Sequence, residues 1–199
     1  MLTPQRIEAF SDGVFAIVIT LLILEIKVPS LPEHVSSSDL FTKLFTLGPK
    51  LLSYVLSFLV IGVYWIAHHF TFHQIRRADR QLLIFNLLFL MSISFIPFPA
   101  ALLGEYPHTQ TAVMVYGFAL LMTGITFNLI WWHASRNHRL IDSQTPLHVI
   151  RNSWKGRFVP LICYLIGMGL SFVHVYLTIA IYIIVPLYYL TVRTPSESK

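Results

Sequence analysis

The stretch that decides the fold spans residues 5–26 and reads QRIEAFSDGVFAIVITLLILEI. Its charged residues lie near its two ends, at positions 6, 8, 12 and 25, and residues 13–24 carry no charge at all. A membrane-spanning helix needs about 20 predominantly apolar residues. We therefore predict a first transmembrane helix over residues 5–26, which ends before Lys27 and Pro29 because proline does not continue a helix.

The composition extends this interpretation to the rest of the chain. The chain has 199 residues, of which 55% are hydrophobic and only 12% charged, whereas a soluble domain carries about 25% charged residues. Six spans of about 20 residues each occupy about 120 positions, and the remainder suffices for loops but not for a separate soluble domain. We predict an all-α, polytopic membrane protein with six transmembrane helices, organised as a single unit over residues 1–199.

Five further apolar stretches follow the first. The predicted spans are 48–72, 81–103, 109–132, 158–172 and 174–192. Pro97 and Pro99 are expected to break the outer end of the third span. The last two spans are predicted to join in a tight turn at residues 171–174, and a single, sharply bent span is the alternative.

Two connections stand out by their composition. The segment 30–43 is polar and predicts a loop. The segment 136–157 is basic and predicts a linker at the membrane surface. Any helix within this linker is expected to be short because Pro146 and Gly156 interrupt it.

The arginines indicate the orientation of the chain. With six spans, all nine fall on one side of the membrane: Arg6, Arg76, Arg77, Arg80, Arg136, Arg139, Arg151, Arg157 and Arg193. The opposite loops hold three lysines against four acids: Lys27, Lys43, Lys50, Glu25, Glu33, Asp39 and Glu105. Because loops rich in Lys and Arg stay on the cytoplasmic side, both termini are predicted to be cytoplasmic. Anionic lipids, rather than nucleic acid, are the expected partners of these arginines.

The first helix has two distinct faces. At 100° per residue, Phe10 and Leu24 lie about 20° from Ile17 on the helix circumference, and Leu21 lies about 40° away. Thr20 lies at the margin of this apolar stripe. Ser11 and Asp12 lie on another face, about 120° and about 140° from Ile17. One face is therefore a smooth apolar seam, and the other makes a polar contact elsewhere.

Asp12 is the charged residue placed deepest in the first helix. Charges within a span are costly and usually point into the protein towards a partner, so we expect Asp12 to be buried and paired. The candidate partners at a similar depth are Arg6, Trp65, His68, His69 and Asn86. Together these residues would form a polar clasp between helix one and helices two and three. The residues alone leave two roles open for this clasp: structural attachment of helix one to its neighbours, and a direct role in permeation or proton transfer.

Several strings in the first half of the chain resemble one known family. They are the motif Arg6-x-x-x-Phe10-Ser11-Asp12, the string from Gly62 to His69, the string from Asn86 to Leu90, and the string from Phe95 to Pro99. In this order they resemble the endosomal and lysosomal potassium channel, transmembrane protein 175, and its prokaryotic relatives. The second half offers only a general match in hydropathy.

The resemblance implies a potassium-permeable channel in the plasma membrane of a prokaryote, with no cofactor besides the permeating K⁺. For a chain with one six-helix unit, the resemblance implies a homotetramer with helix one of each subunit around a central axis. Counting from the motif, the resemblance places the pore-lining layers at Ile17, Leu21 and Leu24, with Thr20 as the nearby hydroxyl. It further implies a constriction of apolar side chains in place of a carbonyl filter. Leak-like conduction and modest selectivity for K⁺ over Na⁺ are then expected.

Rival functions have weaker support in the sequence. His68, His69 and His73 have a spacing suited to helical metal ligation, but the other histidines form no comparable clusters, so no metal site is predicted. Nucleophile motifs and phosphate-binding glycine loops are absent from the sequence, which argues against an enzyme. The serious rival is a proton-coupled transporter or a proton-conducting channel that uses Asp12, His68 and His69.

Overall fold

A computed structural model of the chain describes residues 3–30 and 36–191. Within these ranges the backbone is helical apart from short connections and one antiparallel bridge between Ile75 and Ile141, which confirms the predicted all-α fold. The helices are α1 (Pro4–Leu21), α2 (Ser37–Phe45), α3 (Gly48–Gln74), α4 (Arg80–Phe95), α5 (Pro97–Glu105), α6 (Gln110–Ser135), α7 (Leu147–Leu170) and α8 (Val175–Thr191). A 3₁₀ turn, Leu22–Glu25, extends α1.

Local sequence signals determine where several helices begin. Thr3 caps α1, where its hydroxyl accepts a 3.4 Å hydrogen bond from the Arg6 amide, and Pro4 occupies the first turn. Asp79 caps α4, where its carboxylate accepts a 2.8 Å bond from the Leu82 amide. Such side-chain caps satisfy amides that have no partner within the helix. The third predicted span is divided at Pro97, which begins α5.

Two predicted connections are wrong in part: the loop 30–43 contains a helix, and the helix in the linker 136–157 is not short. Helix α2 lies within the predicted loop 30–43, where the Ser36 hydroxyl accepts a bond from the Asp39 amide and starts the helix. Helix α7 begins eleven residues before the predicted span, at Leu147 instead of 158. It continues through Gly156 because Trp154 packs against the core, and packing overrides weak propensities. Residues 31–35 of the loop, and Val192 and Arg193 beyond α8, lie outside the described residues.

Four helical stretches of the described ranges are long and apolar enough to cross a membrane: Pro4–Glu25, Gly48–Gln74, Arg80–Glu105 and Gln110–His138. Helix α8 is apolar, but its 17 residues span only about 26 Å at 1.5 Å per residue. A bilayer core is about 30 Å thick. Helix α7 has 24 residues but carries Arg151, Lys155 and Arg157 in its first half. The six-span count depends on α7 and α8 and stays a prediction.

The bundle is built around α6, which packs against α4, α5, α7 and α8. The chain turns between Leu170 and Val175, and α7 packs against α8. Helix α1 packs mainly against α3 and α4, at one side of the bundle. The ring of Phe89 joins these layers, since it lies 5.9 Å from Phe15 of α1, 5.9 Å from Tyr64 of α3 and 5.1 Å from Phe127 of α6. Helix α1 is therefore fixed on one face, and its other face has no partner in the described chain.

Candidate functional site

The two faces of α1 differ sharply in exposure. The buried face carries Ile7, Ser11, Phe15 and Val18, and continues into Leu22 of the 3₁₀ turn. The opposite face leaves 55% of Phe10, 61% of Ile17, 44% of Leu21 and 66% of Leu24 exposed. These are the apolar stripe residues of the sequence analysis. Since exposed apolar area of this kind in a membrane protein faces lipid or another chain, the stripe is available for contacts outside this chain.

A buried hydrogen-bond chain attaches α1 to α3 and α4. Asn86 donates its side-chain amide to the Ser11 hydroxyl (3.0 Å), and Ser11 donates to the Ile7 carbonyl (2.8 Å). The Asn86 oxygen lies 2.9 Å from Nε2 of His68, so Nε2 must carry the proton because this oxygen only accepts. His68, Asn86 and Ser11 are all fully buried. These three residues therefore form the interior part of the clasp.

Asp12 lies at the edge of this clasp. The prediction that Asp12 is buried is wrong for the single chain, because Asp12 is exposed. It follows Ser11 by about 100° around the helix, which carries it past the packed face. Its carboxylate accepts a 2.9 Å bond from the indole N–H of Trp65 and makes no hydrogen bond to His68 or His69 within the described ranges. Arg6 is exposed and forms no salt bridge with Asp12 there.

A second contact of the same kind was missed from the sequence. Nδ1 of His69 donates to the Glu8 carboxylate at 2.8 Å. Glu8 precedes Asp12 by four residues on α1, and His69 follows Trp65 by four residues on α3, so the two contacts are one turn apart on each of two antiparallel helices. The i, i+4 spacing on both helices was the signal in the sequence for the Glu8–His69 contact. Using this signal requires knowing the register of α1 relative to α3.

Thr20 lies at the exposed margin of α1, as its position on the helix predicted. Its hydroxyl lies 2.9 Å from the Ala16 carbonyl and 2.8 Å from the Ile17 carbonyl. The hydroxyl hydrogen is therefore used within the helix, and the oxygen lone pairs remain outward as weak acceptors. Thr20 thus adds a polar oxygen beside the apolar stripe without adding a charge.

A further polar cluster joins the α3–α4 and α6–α7 connections. His133 Nε2 lies 3.0 and 2.9 Å from the two carboxylate oxygens of Asp79, and Arg139 lies 3.3 Å from one of them. Burial favours the neutral acid, but the Leu82 amide, His133 and Arg139 together favour the carboxylate more strongly. The net result is that the pKa of Asp79 lies below its ordinary value. The cluster therefore fixes the two connections together electrostatically.

Asp79→Asn is expected to reduce the dependence of stability on pH. A carboxylate with a depressed pKa contributes its full stability above the unfolded-state pKa and loses it as the pH falls through the folded-state pKa. The wild type should therefore lose stability as the pH falls below the ordinary Asp pKa of about 3.9, and the variant should lose less over this range. Asn retains the helix cap, so the cost at pH 7 should be about 1 kcal/mol from the lost charged bonds. Thermal unfolding in detergent at several pH values measures both effects.

Asp142→Asn is the matched control for this prediction. Asp142 lies in the adjacent α6–α7 connection, is exposed, and accepts a 2.9 Å bond from the nearby Gln144 amide. Asn supplies the same acceptor, so this variant should keep the pH dependence of the wild type. An Asp79→Asn protein with an unchanged pH profile would show that ionisation of Asp79 contributes nothing to stability.

Arg157 was assigned to the linker from the sequence, but it contacts the interior. Its guanidinium donates to the Thr71 hydroxyl at 2.7 Å and lies 4.8 Å from the ring centres of both Phe127 and Trp131. These contacts attach the charged first half of α7 to α3 and α6 by a hydrogen bond and cation–π interactions. No sequence pattern predicted these contacts, because Thr71 and Arg157 are far apart in the chain.

The histidines do not converge on a metal site in the described part of the chain. Among residues 3–30 and 36–191, no group of three or more His, Cys, Asp or Glu side chains is placed to hold a metal ion. His68 and His69 instead bond to Asn86 and Glu8. These bonds connect α3 to α4 and to α1.

The arrangement of helices matches that of a solved membrane channel. The chain resembles the crystal structure of a lysosomal potassium-selective channel TMEM175 homolog from Chamaesiphon minutus, with a TM-score of 0.83 and 38% sequence identity, over 94% of this chain and 96% of that one. Fold, span composition and this likeness define the class: a multi-pass helical membrane channel, and not an enzyme.

Sequence comparisons identify the family within this class. The family profile described as endosomal/lysosomal potassium channel TMEM175 matches residues 6–97. A potassium channel of Chamaesiphon minutus is 41% identical over 188 residues, which cover 92% of each chain. The chain belongs to the TMEM175 family, as the resemblance implied. A human relative named an endosomal/lysosomal proton channel is 32% identical over 146 residues, which cover 69% of this chain but 29% of that protein.

Proposed function

We propose that four copies of this chain form a potassium-permeable cation channel in the plasma membrane of a prokaryote, with α1 of each copy lining the pore. Each subunit contributes six spans, with both termini in the cytoplasm. The observation that carries the proposal is the exposed apolar stripe of α1, with Ile17, Leu21 and Leu24 on the face opposite its packed one. The potassium-channel names of the bacterial relatives support the same function.

Conduction through this pore depends on dehydration. A fourfold ring of Ile17 side chains would form a narrow, apolar constriction, which gates by dewetting. An ion crossing it sheds part of its hydration shell and gains no strong ligand in return. Because K⁺ holds its water less tightly than Na⁺, the constriction favours K⁺ modestly, and the resulting current is small and leak-like. The Thr20 hydroxyl offers one oxygen near this point.

The contacts on the other face of α1 support this assignment. The buried Ser11–Asn86–His68 chain and the peripheral Asp12–Trp65 and Glu8–His69 pairs attach α1 to α3 and α4. A pore helix held on one side by directional bonds keeps its opposite face at a fixed angle to the pore axis. The RxxxFSD motif (Arg6, Phe10, Ser11 and Asp12) thus acts mainly by positioning the helix, and permeating ions meet the apolar stripe.

A proton-conducting or proton-coupled function is the second candidate. The observation that favours it is the presence of carboxylates and a histidine, Glu8, Asp12 and His69, along one edge of α1, together with the proton-channel name of the animal relatives. The proposed relay of Asp12, His68 and His69 is not joined by hydrogen bonds within the described residues. Each of the three bonds to a different partner.

Purified protein in planar bilayers distinguishes these candidates. With a K⁺ gradient at symmetric pH, we expect currents that reverse close to the K⁺ equilibrium potential. When Na⁺ replaces K⁺, we expect the reversal potential to shift less than it does with K⁺. With a pH gradient and equal K⁺ on both sides, we expect a reversal potential near zero. Reversal that follows the proton gradient, or flux that saturates and requires protons, would contradict the potassium channel and support the second candidate.

A further inference from the structure

The cytoplasmic connections of the bundle bring arginines from separate parts of the sequence onto one surface. The Arg76 and Arg77 amides donate to the Leu140 carbonyl at 2.7 and 3.2 Å, and Ile75 pairs with Ile141. This pairing places the connection after α3 against the connection after α6. As a result, five exposed arginines lie on one surface. They belong to the two connections and to the start of α4: Arg76, Arg77, Arg80, Arg136 and Arg139.

A cleft of about 540 Å³ opens on this surface. It is lined by Gln81 at the start of α4, by Trp132 and His133 at the end of α6, and by Arg136, Asn137 and Arg139 in the connection that follows. The chain leaves α6 sharply here, because Asn137 and His138 both adopt a left-handed backbone with φ of 53°. His138 Nε2 holds this turn with a 2.9 Å bond to the Thr145 carbonyl.

The positive charge of the cleft is only partly neutralised. Asp79, the acid beside it, already pairs with His133 and Arg139. Arg136 is exposed and forms no salt bridge within the described ranges, and its guanidinium lies 5.4 Å from the ring centre of Trp132. An Arg beside an aromatic face presents its remaining N–H groups as a fork, which suits the paired oxygens of a phosphate.

The position of the cleft limits the phosphates that reach it. Gln81 and Trp132 belong to the ends of two membrane-crossing stretches, Arg80–Glu105 and Gln110–His138. Lipid headgroups lie at this depth, and Trp is enriched there because its ring is amphipathic. The exposed Trp132 ring is thus placed beside the acyl–headgroup boundary, while Arg136 is placed beside the phosphate. Basic pockets between transmembrane helices on the cytoplasmic side are suited to anionic headgroups.

We propose that the cleft between Trp132, Arg136 and Gln81 is a binding site for the phosphate of an anionic phospholipid. Arg136 binds the phosphate oxygens, Trp132 contacts the glycerol and upper acyl region, and Gln81 and Asn137 offer hydrogen bonds to a polar headgroup. Arg139 supplies additional positive charge while it remains paired with Asp79. The site is independent of the pore and of the ion that the channel conducts.

Native mass spectrometry of the purified protein tests this site. The protein is exchanged into micelles that hold equal amounts of phosphatidylglycerol and phosphatidylcholine, and the retained lipids are counted per subunit. The wild type should retain phosphatidylglycerol preferentially. Arg136→Gln should weaken this retention about tenfold, because it removes a charge-assisted contact. Arg136→Lys keeps the charge but loses the fork, and should fall between the two.

Arg151→Gln is the matched control, since Arg151 is an exposed arginine on α7 outside the cleft lining. It should retain phosphatidylglycerol like the wild type. Equal losses in Arg136→Gln and Arg151→Gln would show diffuse attraction without a site and would overturn the proposal. Unchanged retention in both Arg136 variants, or displacement of the lipid by millimolar inorganic phosphate, would overturn it as well. Elution profiles and melting temperatures confirm that each variant is folded.

Discussion

Asn86→Leu is expected to lower the free energy of unfolding by about 2 kcal/mol and to loosen α1 from the bundle. The substitution removes the bonds to Ser11 and His68, both fully buried. A buried polar group that loses its partner costs about 1–3 kcal/mol. In a membrane, side-chain hydrogen bonds average about 0.6 kcal/mol each, so the two bonds alone contribute about 1.2 kcal/mol. The buried groups of Ser11 and His68 that lose their partner add to this cost, which gives a total of about 2 kcal/mol. Thermal unfolding of the detergent-solubilised protein measures it.

The control for this variant is Ser92→Ala on the same helix. Ser92 donates to the Leu88 carbonyl of its own helix at 3.0 Å and accepts only a long, 3.3 Å contact from Thr126. Its removal should therefore change stability by less than about 1 kcal/mol. If Asn86→Leu were as stable as Ser92→Ala, the buried chain from His68 to Ser11 would not be what fixes α1.

The parts of the fold that follow from long apolar runs were predictable. Residues 5–26 were predicted as one helix, and the structure has Pro4–Leu21 followed by Leu22–Glu25. Helix α2 was missed because its nine residues bury no side chain and form no long apolar run. The early start of α7 was missed because its first half carries charges. This half is helical because Ile150 and Trp154 pack against the core, and that contact exists only in three dimensions.

The candidate site was also predictable only in part. That Ile17, Leu21 and Leu24 share one face, apart from Ser11 and Asp12, was predictable because the 3.6-residue period of one helix determines which residues share a face. The Glu8–His69 pair depends on the register between α1 and α3, which a single sequence does not specify. The Asp79–His133 pair joins residues 54 positions apart through the packing of α4 against α6, so no local pattern predicts it.

The identity of residue 17 should determine how well the channel excludes Na⁺. In the proposed tetramer, the Ile17 side chains form the narrowest apolar layer, and the K⁺ preference arises from the unequal cost of dehydrating the two ions there. A side chain that supplies hydrogen-bonding groups lowers this cost more for Na⁺, which holds water more tightly. A change of about 1.4 kcal/mol in the relative barrier corresponds to about tenfold in relative permeation rate.

Ile17→Asn is therefore expected to raise Na⁺ permeation up to about tenfold relative to K⁺ and to increase the total current. Bi-ionic reversal potentials in planar bilayers measure the ratio, and single-channel amplitudes measure the conductance.

Ile162→Asn makes the same chemical change on α7, where 54% of the side chain is exposed, and should leave both quantities at the wild-type values. Because the same amide is placed away from α1 in this control, a selectivity change in both variants would indicate a general disturbance of the bundle. An unchanged ratio in Ile17→Asn would exclude a constriction at residue 17, since an amide that lined the narrowest layer would necessarily contact the dehydrating ion.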